Sequence, residues 1–201
     1  MEPIKSRREE YADATRTALL TTAREIFTAE GYQQTGIEAV ARAARVTRGA
    51  FYHHFDDKQA LFEALVIDLQ AEAAAKIAAQ AQLATNLRAK LSAGAKAFLE
   101  VCTEPSYRRL VIQEASAILG IERCREISEA YPYGLLIRAV SALQKQGEFD
   151  VENPYLASRM IGAMICEASL HLEQTTDSAL LARQATAIID RVLGAFYRDG
   201  S

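Results

Sequence analysis

Proline stands at only four of the 201 positions, 3, 105, 132 and 154, and neither proline nor glycine occurs from Ala50 to Ala93. Alternating β-branched runs are also nearly absent, while Ala, Leu, Glu, Arg and Gln dominate. Few breakers and no two-residue alternation predict an all-α chain. Cysteine is scarce: Cys102, Cys124 and Cys166 are odd in number and form no CxxC pair. That excludes a disulfide framework and a thiolate zinc site, and fits reduced thiols in a cytoplasmic protein. No apolar run reaches the roughly 18 residues of a membrane span, and the opening "MEPIKSRREEYAD" has no signal core. Enzyme signatures are missing as well: there is no G-x-S-x-G, G-x-G-x-x-G, Walker lysine loop or H-E-x-x-H. No catalytic residue and no cofactor is therefore expected. His53 and His54 are adjacent, and neighbours on a helix point about 100° apart, so they do not chelate one metal ion.

A general excess of positive charge is missing too. The net charge is −3, which argues against a protein that coats nucleic acid. The excess is local. Between Thr35 and Phe55 stand Arg42, Arg45 and Arg48 against Glu38 alone.

What is present is ordinary for a folded domain of this length: 50% hydrophobic and 24% charged residues. The periodicity predicts about nine helices. The first runs from roughly residue 12 to 30, with Leu19, Ala23, Ile26 and Phe27 on one face and Gly31 as its stop. Thr35-Gly36-Ile37-Glu38 reads as a capping box opening a short second helix that ends near 43 or 44. Thr47 caps a third that ends near His54, and Asp57 caps a fourth reaching about residue 81. Five more are expected near 85–103, 106–119, 122–146, 154–173 and 178–198, with Gly147 as a stop and Asn153-Pro154 as a start.

The segment "VTRGAFYHHFDDK", Val46 to Lys58, is the least ordinary stretch. Two short helices joined by "ARAARVTRG" and backed by a longer one make a helix-turn-helix, whose second helix enters the DNA major groove. At helical spacing Phe51 and Phe55 turn inward with Val46, while Arg48, Gly49, Tyr52 and His53 lie on the other side. Gly49 lets backbone approach DNA closely. Thr35 and Thr47 place hydroxyls at helix N-termini, where phosphates bind, and Lys58 adds a cation at the start of the fourth helix. Each threonine also has the plainer reading of a cap. Arg42 and Arg45 read as general electrostatic attraction to DNA or as plain surface charge, rather than as readers of sequence.

The stretch "ALLTTAREIFTAEGYQQTGIEAVARAARVTRGAFYHHFDDKQALFEALV" resembles the DNA-binding domain of the TetR family of bacterial transcriptional regulators. The likeness spans about residues 12–67 without a gap: A-x-x-x-F-x-x-x-G-Y, then T-x-x-x-x-V-A, then Tyr52–Phe55 followed by Asp57-Lys58. The resemblance implies phosphate contacts at Thr35, Thr47, Tyr52 and Lys58, and base contacts at Arg48, Gly49 and His53. His54 falls where a phosphate contact and packing are equally compatible. Gly36 departs from the family pattern, which often has Thr or Ser there. The implied organisation is a DNA-binding domain over residues 1–56 and a helical ligand-binding and dimerisation domain over 57–201.

In the remainder the family resemblance is architectural only. The last two helices carry broad apolar stripes, and a two-fold dimer would use Met160, Ile161, Ile165, Ala168, Leu172, Ile188, Ile189, Val192 and Phe196. A pocket among the middle helices would take a mainly apolar small molecule, with Phe98, Cys102, Tyr107, Ile118, Tyr131, Tyr133, Met160 and Met164 as candidate walls, each equally readable as ordinary core. The expected partners are double-stranded operator DNA, a second copy of the chain and a small-molecule effector, with no membrane. Two rival readings use the same features: a helical enzyme or carrier that retains the N-terminal module, and a nucleoid or division factor on the same fold.

Overall fold

The computed structural model describes residues 6–172 and 178–198, the side chains at 8, 172, 178 and 179 excepted. Every regular element among them is helical, as the scarcity of breakers predicted. The order is α1 (Arg7–Glu30), α2 (Ile37–Ala43), α3 (Arg48–His54), α4 (Lys58–Gln82), α5 (Leu87–Thr103), a π-helical segment (Tyr107–Glu114) running into α6 (Ala115–Leu119), α7 (Ile121–Ala130), α8 (Pro132–Lys145), α9 (Pro154–Leu172) and α10 (Ser178–Phe196). Among the described residues, ten α-helices replace the nine expected. The single helix anticipated over 122–146 is two, because Pro132 has no N–H to continue the ladder and instead occupies the first turn of α8.

Local chemistry fixed several ends as expected. The Thr47 hydroxyl accepts from the Ala50 amide at 3.1 Å and the Asp57 carboxylate from Ala60 at 2.7 Å, while Asn153 accepts from Leu156 at 3.0 Å. Gly147 stops α8 at φ 73°. Gly31 stops α1 with φ 90° and ψ 158°, outside the left-handed helical region anticipated for it. The capping box belongs to Ser6 and Glu9, which extends α1 five residues beyond its expected start at Ala12. Thr35 does not cap α2. Gly36 holds that position without a side-chain bond, and the Thr35 hydroxyl donates to the Gly31 carbonyl at 2.9 Å.

The α2–α3 turn is a Schellman closure. The Val46 amide donates to the Ala41 carbonyl at 2.9 Å and the Arg45 amide to Arg42 at 3.1 Å. Arg45 takes the left-handed position at φ 59°, where glycine is the usual occupant.

Buried apolar residues form one cluster that runs from Leu19 in α1 to Leu193 in α10. Its N-terminal end, around Phe27, Phe51 and Phe62, holds α2 and α3 on α1 and α4. Its larger part is the packing of α4, α5, α8 and α9, with α10 against α5 and α9. The π-helical segment fastens the two ends together. The Arg109 guanidinium donates to the Thr28 and Ala29 carbonyls at 2.7 and 3.0 Å, at the end of α1, and pairs with Glu114 at 3.1 Å. The other Glu114 oxygen accepts from the Tyr32 amide at 3.1 Å.

Candidate nucleic-acid interface and the cavities of the bundle

The outward face of α3 is built by what its inward face must bury. Phe51 is buried between α1 and α2, so the residues about a half-turn away face solvent. Thr47, Arg48, Gly49, Tyr52 and His53 are all exposed there, and Tyr52 keeps 43% of its surface accessible. The Arg48 guanidinium lies 5.6 Å above the Tyr52 ring and 3.1 Å from the Glu38 carboxylate of α2. Arg42 and Arg45 are exposed beside them. A side chain at Gly49 would meet only the Thr47 hydroxyl, at 3.9 Å, so packing within the chain gives no reason for a glycine.

Three expected contact residues sit differently. Thr35 is only 2% exposed and its hydroxyl is committed to Gly31. Lys58 turns back into the fold: its ammonium donates to the Tyr32 and Thr35 carbonyls at 2.9 and 3.0 Å and lies 4.1 Å from the Tyr32 ring centre. It ties the start of α4 to the α1–α2 turn. His54 is half-buried near Arg16, with its ring 5.2 Å from that of His53. Burial, then the neighbouring His53 and Arg16, hold its pKa below the usual imidazole value.

Two of the cavities among the described residues of the bundle have walls drawn from the middle helices. A small apolar one of about 180 Å³ between α4, α5 and α8 is lined by Ile77, Leu91, Phe98 and Leu135 among others. A larger one of about 400 Å³ lies between α4, α5, the π-helical segment, α6, α7, α8 and α9. Phe98 borders both. Of the expected wall residues, Phe98, Tyr107 and Tyr133 line these cavities, whereas Cys102, Ile118, Tyr131 and Met164 line neither. Met160 is 65% exposed on the outside of α9 and belongs to no cavity wall. Gln70, Arg125, Arg159 and Cys166 line the larger cavity and were not expected from the sequence. Polar residues inside an apolar pattern leave no periodic signal; only the packing of α4, α7 and α9 around the cavity brings these four together.

The polar groups of the larger cavity are mutually arranged. The Tyr107 hydroxyl donates to Gln70 Oε1 at 2.9 Å, and burial pushes both the Tyr107 and Tyr133 phenols well up, so they remain neutral donors. Gly162 lets the Tyr133 ring lie against α9, since a Cβ there would fall 2.4 Å from it. Cys166, one turn on, accepts from the buried Cys102 thiol and from Tyr133, which lowers its pKa; Cys102, fully buried, is pushed up.

The expected dimer stripe separates into two faces. Ile161, Ile165 and Ile189 are buried in the chain's own core, so they cannot face a second copy, and Phe196 packs on Phe149 at 5.3 Å. Ala168 and Val192 are half-buried, and the Leu172 side chain lies outside the described residues. The exposed apolar residues of the last two helices are Leu156 at 54%, Met160 at 65% and Ile188 at 56%, with Tyr155 and Leu180 nearby.

A helix-turn-helix module with a bare, cation-bearing recognition face, set on a larger helical bundle that holds a cavity, defines a DNA-binding regulator. Residues 19–65 match the family model for bacterial regulatory proteins of the tetR family, and residues 88–196 match the Tetracyclin repressor-like C-terminal domain. The chain belongs to the TetR family of transcriptional regulators. It is 26% identical over 184 residues to the transposon Tn10 TetC protein of Escherichia coli, covering 92% of this chain and 93% of that one. It is 37% identical over 65 residues to the HTH-type transcriptional regulator UidR of Escherichia coli strain K12, 32% of this chain and 33% of that protein. A TetR-family regulator from Pectobacterium atrosepticum, 28% identical, superposes with a TM-score of 0.75 over 98% of this chain and 100% of that chain. No helix among the described residues is long and apolar enough to cross a membrane.

Proposed function

We propose that the chain is a homodimeric cytoplasmic repressor that reads a pseudo-palindromic operator with α3 and releases it when a small molecule fills the larger cavity. The single observation that carries the operator reading is Gly49. The exposed face of α3 places Thr47, Arg48, Tyr52 and His53 around a position left without a side chain, although nothing inside the protein requires it. Thr47 and Tyr52 suit phosphates; Arg48 and His53 suit base edges. His54 serves packing, with its imidazole half-buried near Arg16. Thr35 and Lys58 act indirectly, by holding the α1–α2 turn against α4. The working division is residues 1–56 for DNA and 57–201 for ligand and dimer, with Asp57 as the cap at the boundary.

A second copy fits the exposed strip of Leu156, Met160 and Ile188, through which α9 and α10 would pack on their two-fold mates. Operator half-sites would then lie about one DNA turn apart, roughly 34–36 Å. Ligand response follows from linkage: a molecule that prefers the arrangement unfit for DNA lowers operator affinity by that preference. The larger cavity is walled partly by α4 and partly by the π-helical segment, and these two elements hold the DNA-binding module through Lys58 and through Arg109 and Glu114.

Selection of bound fragments from the source genome, in competition with bulk DNA at physiological salt, tests the operator reading. Recovery of a common two-fold sequence is expected; recovery of no fragment would refute it. The dimer is tested by sedimentation. The wild type is expected as a dimer at micromolar concentration, and Met160→Asp combined with Ile188→Asp as a monomer.

A further inference from the structure

We propose that the larger cavity selects an organic anion: a compact, mainly apolar molecule whose carboxylate, or comparable anionic head, pairs with Arg159. The inference deepens the reading of the bundle as the effector-binding part and rests on it. Arg159 lines the cavity from α9, half-buried, with its guanidinium 4.3 Å from the centre of the Tyr133 ring. Its hydrogen bond is a long one, 3.5 Å to the Ser128 hydroxyl, and that hydroxyl itself donates to the Arg125 carbonyl. Among the described residues no carboxylate forms an ion pair with it.

Comparable arginines are treated differently. Arg24, Arg88 and Arg109 are also half-buried, and each holds a carboxylate, at 2.9, 2.6 and 3.1 Å respectively. A guanidinium drawn partly out of water without a counter-charge is costly, and a bidentate carboxylate restores what it lost. Arg159 is therefore poised for an anion that the described residues do not supply.

The rest of the lining agrees in sign. Arg125 is a second cation, exposed at the rim. Glu167 is the lining carboxylate; it is 69% exposed and pairs with His171 at 3.1 Å, so it points its charge to solvent. Tyr107 and Tyr133 stay protonated and bring no negative charge. The apolar body of the ligand would rest on Val66, Phe98, Val111 and Ile112. The volume of about 400 Å³ lies within the range of small-molecule sites. Tyr133, packed against α9 at Gly162, gives the Arg159 guanidinium an aromatic face to rest on.

A matched pair of probes tests this: 4-phenylbutyrate and its uncharged analogue 4-phenyl-1-butanol, titrated calorimetrically into the full-length protein. The acid is expected to bind roughly tenfold or more tightly than the alcohol, as a charge-assisted pair requires. Arg159→Met should bring that ratio close to one, and Arg159→Lys should keep part of it; circular dichroism melts show whether each variant is folded. Equal binding of the two probes by the wild type, binding of neither at millimolar concentration, or an undiminished ratio in folded Arg159→Met would overturn the proposal. Operator binding by the same wild-type preparation is the separate readout. Intact DNA binding without anion preference sinks the ligand class alone, while absence of selective DNA binding sinks the regulator reading whatever the probes do.

Discussion

Replacing Gly49 by alanine should move stability and DNA affinity in opposite directions. Gly49 is the second residue of α3, after the Thr47 cap and Arg48. An added Cβ would have the Thr47 hydroxyl at 3.9 Å as its nearest neighbour, which is ordinary contact, so the substitution meets no steric cost. Glycine in a helix costs about 0.5–1 kcal/mol relative to alanine, mostly through the freedom it loses on folding. The gain should fall at or below that range, because the first turn is only partly constrained. For a chain of this length a gain of that size raises Tm by roughly 1–4 °C. The same methyl projects from the face assigned to DNA. If it holds the helix backbone off the groove, the loss of one well-formed contact costs about 1–3 kcal/mol, or roughly 5- to 150-fold in affinity. Calorimetric melting and fluorescence anisotropy on a selected operator fragment read the two effects independently. A lower Tm would mean that Gly49 serves the fold, and unchanged operator affinity would mean that this face of α3 does not approach DNA. Either result refutes the reasoning.

Three further outcomes are expected. Arg45→Gly should raise stability in urea by about 0.5–1 kcal/mol, since φ 59° is strained for arginine; the lost cation should also reduce the salt slope of DNA binding by about one, and a destabilised variant would contradict the turn geometry. Glu38→Gln removes the carboxylate 3.1 Å from Arg48. Because both partners are exposed, stability should change by less than about 0.5 kcal/mol, while operator affinity rises severalfold; a fall in affinity would show that Glu38 positions Arg48 rather than restrains it. For His54, whose pKa in the folded chain lies below the ordinary imidazole value of 6.5, the unfolded state binds more protons as pH falls beneath that value. Stability from this residue is thus complete above pH 6.5 and declines below it. His54→Asn should flatten that part of the profile, and an unaltered slope would place the titration elsewhere.

Much of the molecule was legible in the chain because it depends on interactions within a few residues. The caps at Thr47, Asp57 and Asn153, the stop at Gly147 and the inward turn of Phe51 against the outward turn of Tyr52 all follow from helical geometry and near-neighbour hydrogen bonds. So does the proposed recognition surface, since one short helix and its cap supply Thr47, Arg48, Gly49, Tyr52 and His53.

The sequence by itself thus determined an all-helical regulator and which residues of its third helix turn outward. Tertiary structure decided what a single helix cannot hold. Ile161, Ile165 and Ile189 share broad stripes with Met160 and Ile188, and only packing against the chain's own bundle put the first three inside and left the other two exposed. Thr35 and Lys58 looked outward as isolated residues, until the α1–α2 turn offered their polar atoms carbonyls at 2.9–3.0 Å. Arg159 carries no mark in the sequence at all. Its meaning comes from the lack of a paired carboxylate among the described residues, and the nearness of charges on separate helices is set by their packing, not by their spacing along the chain.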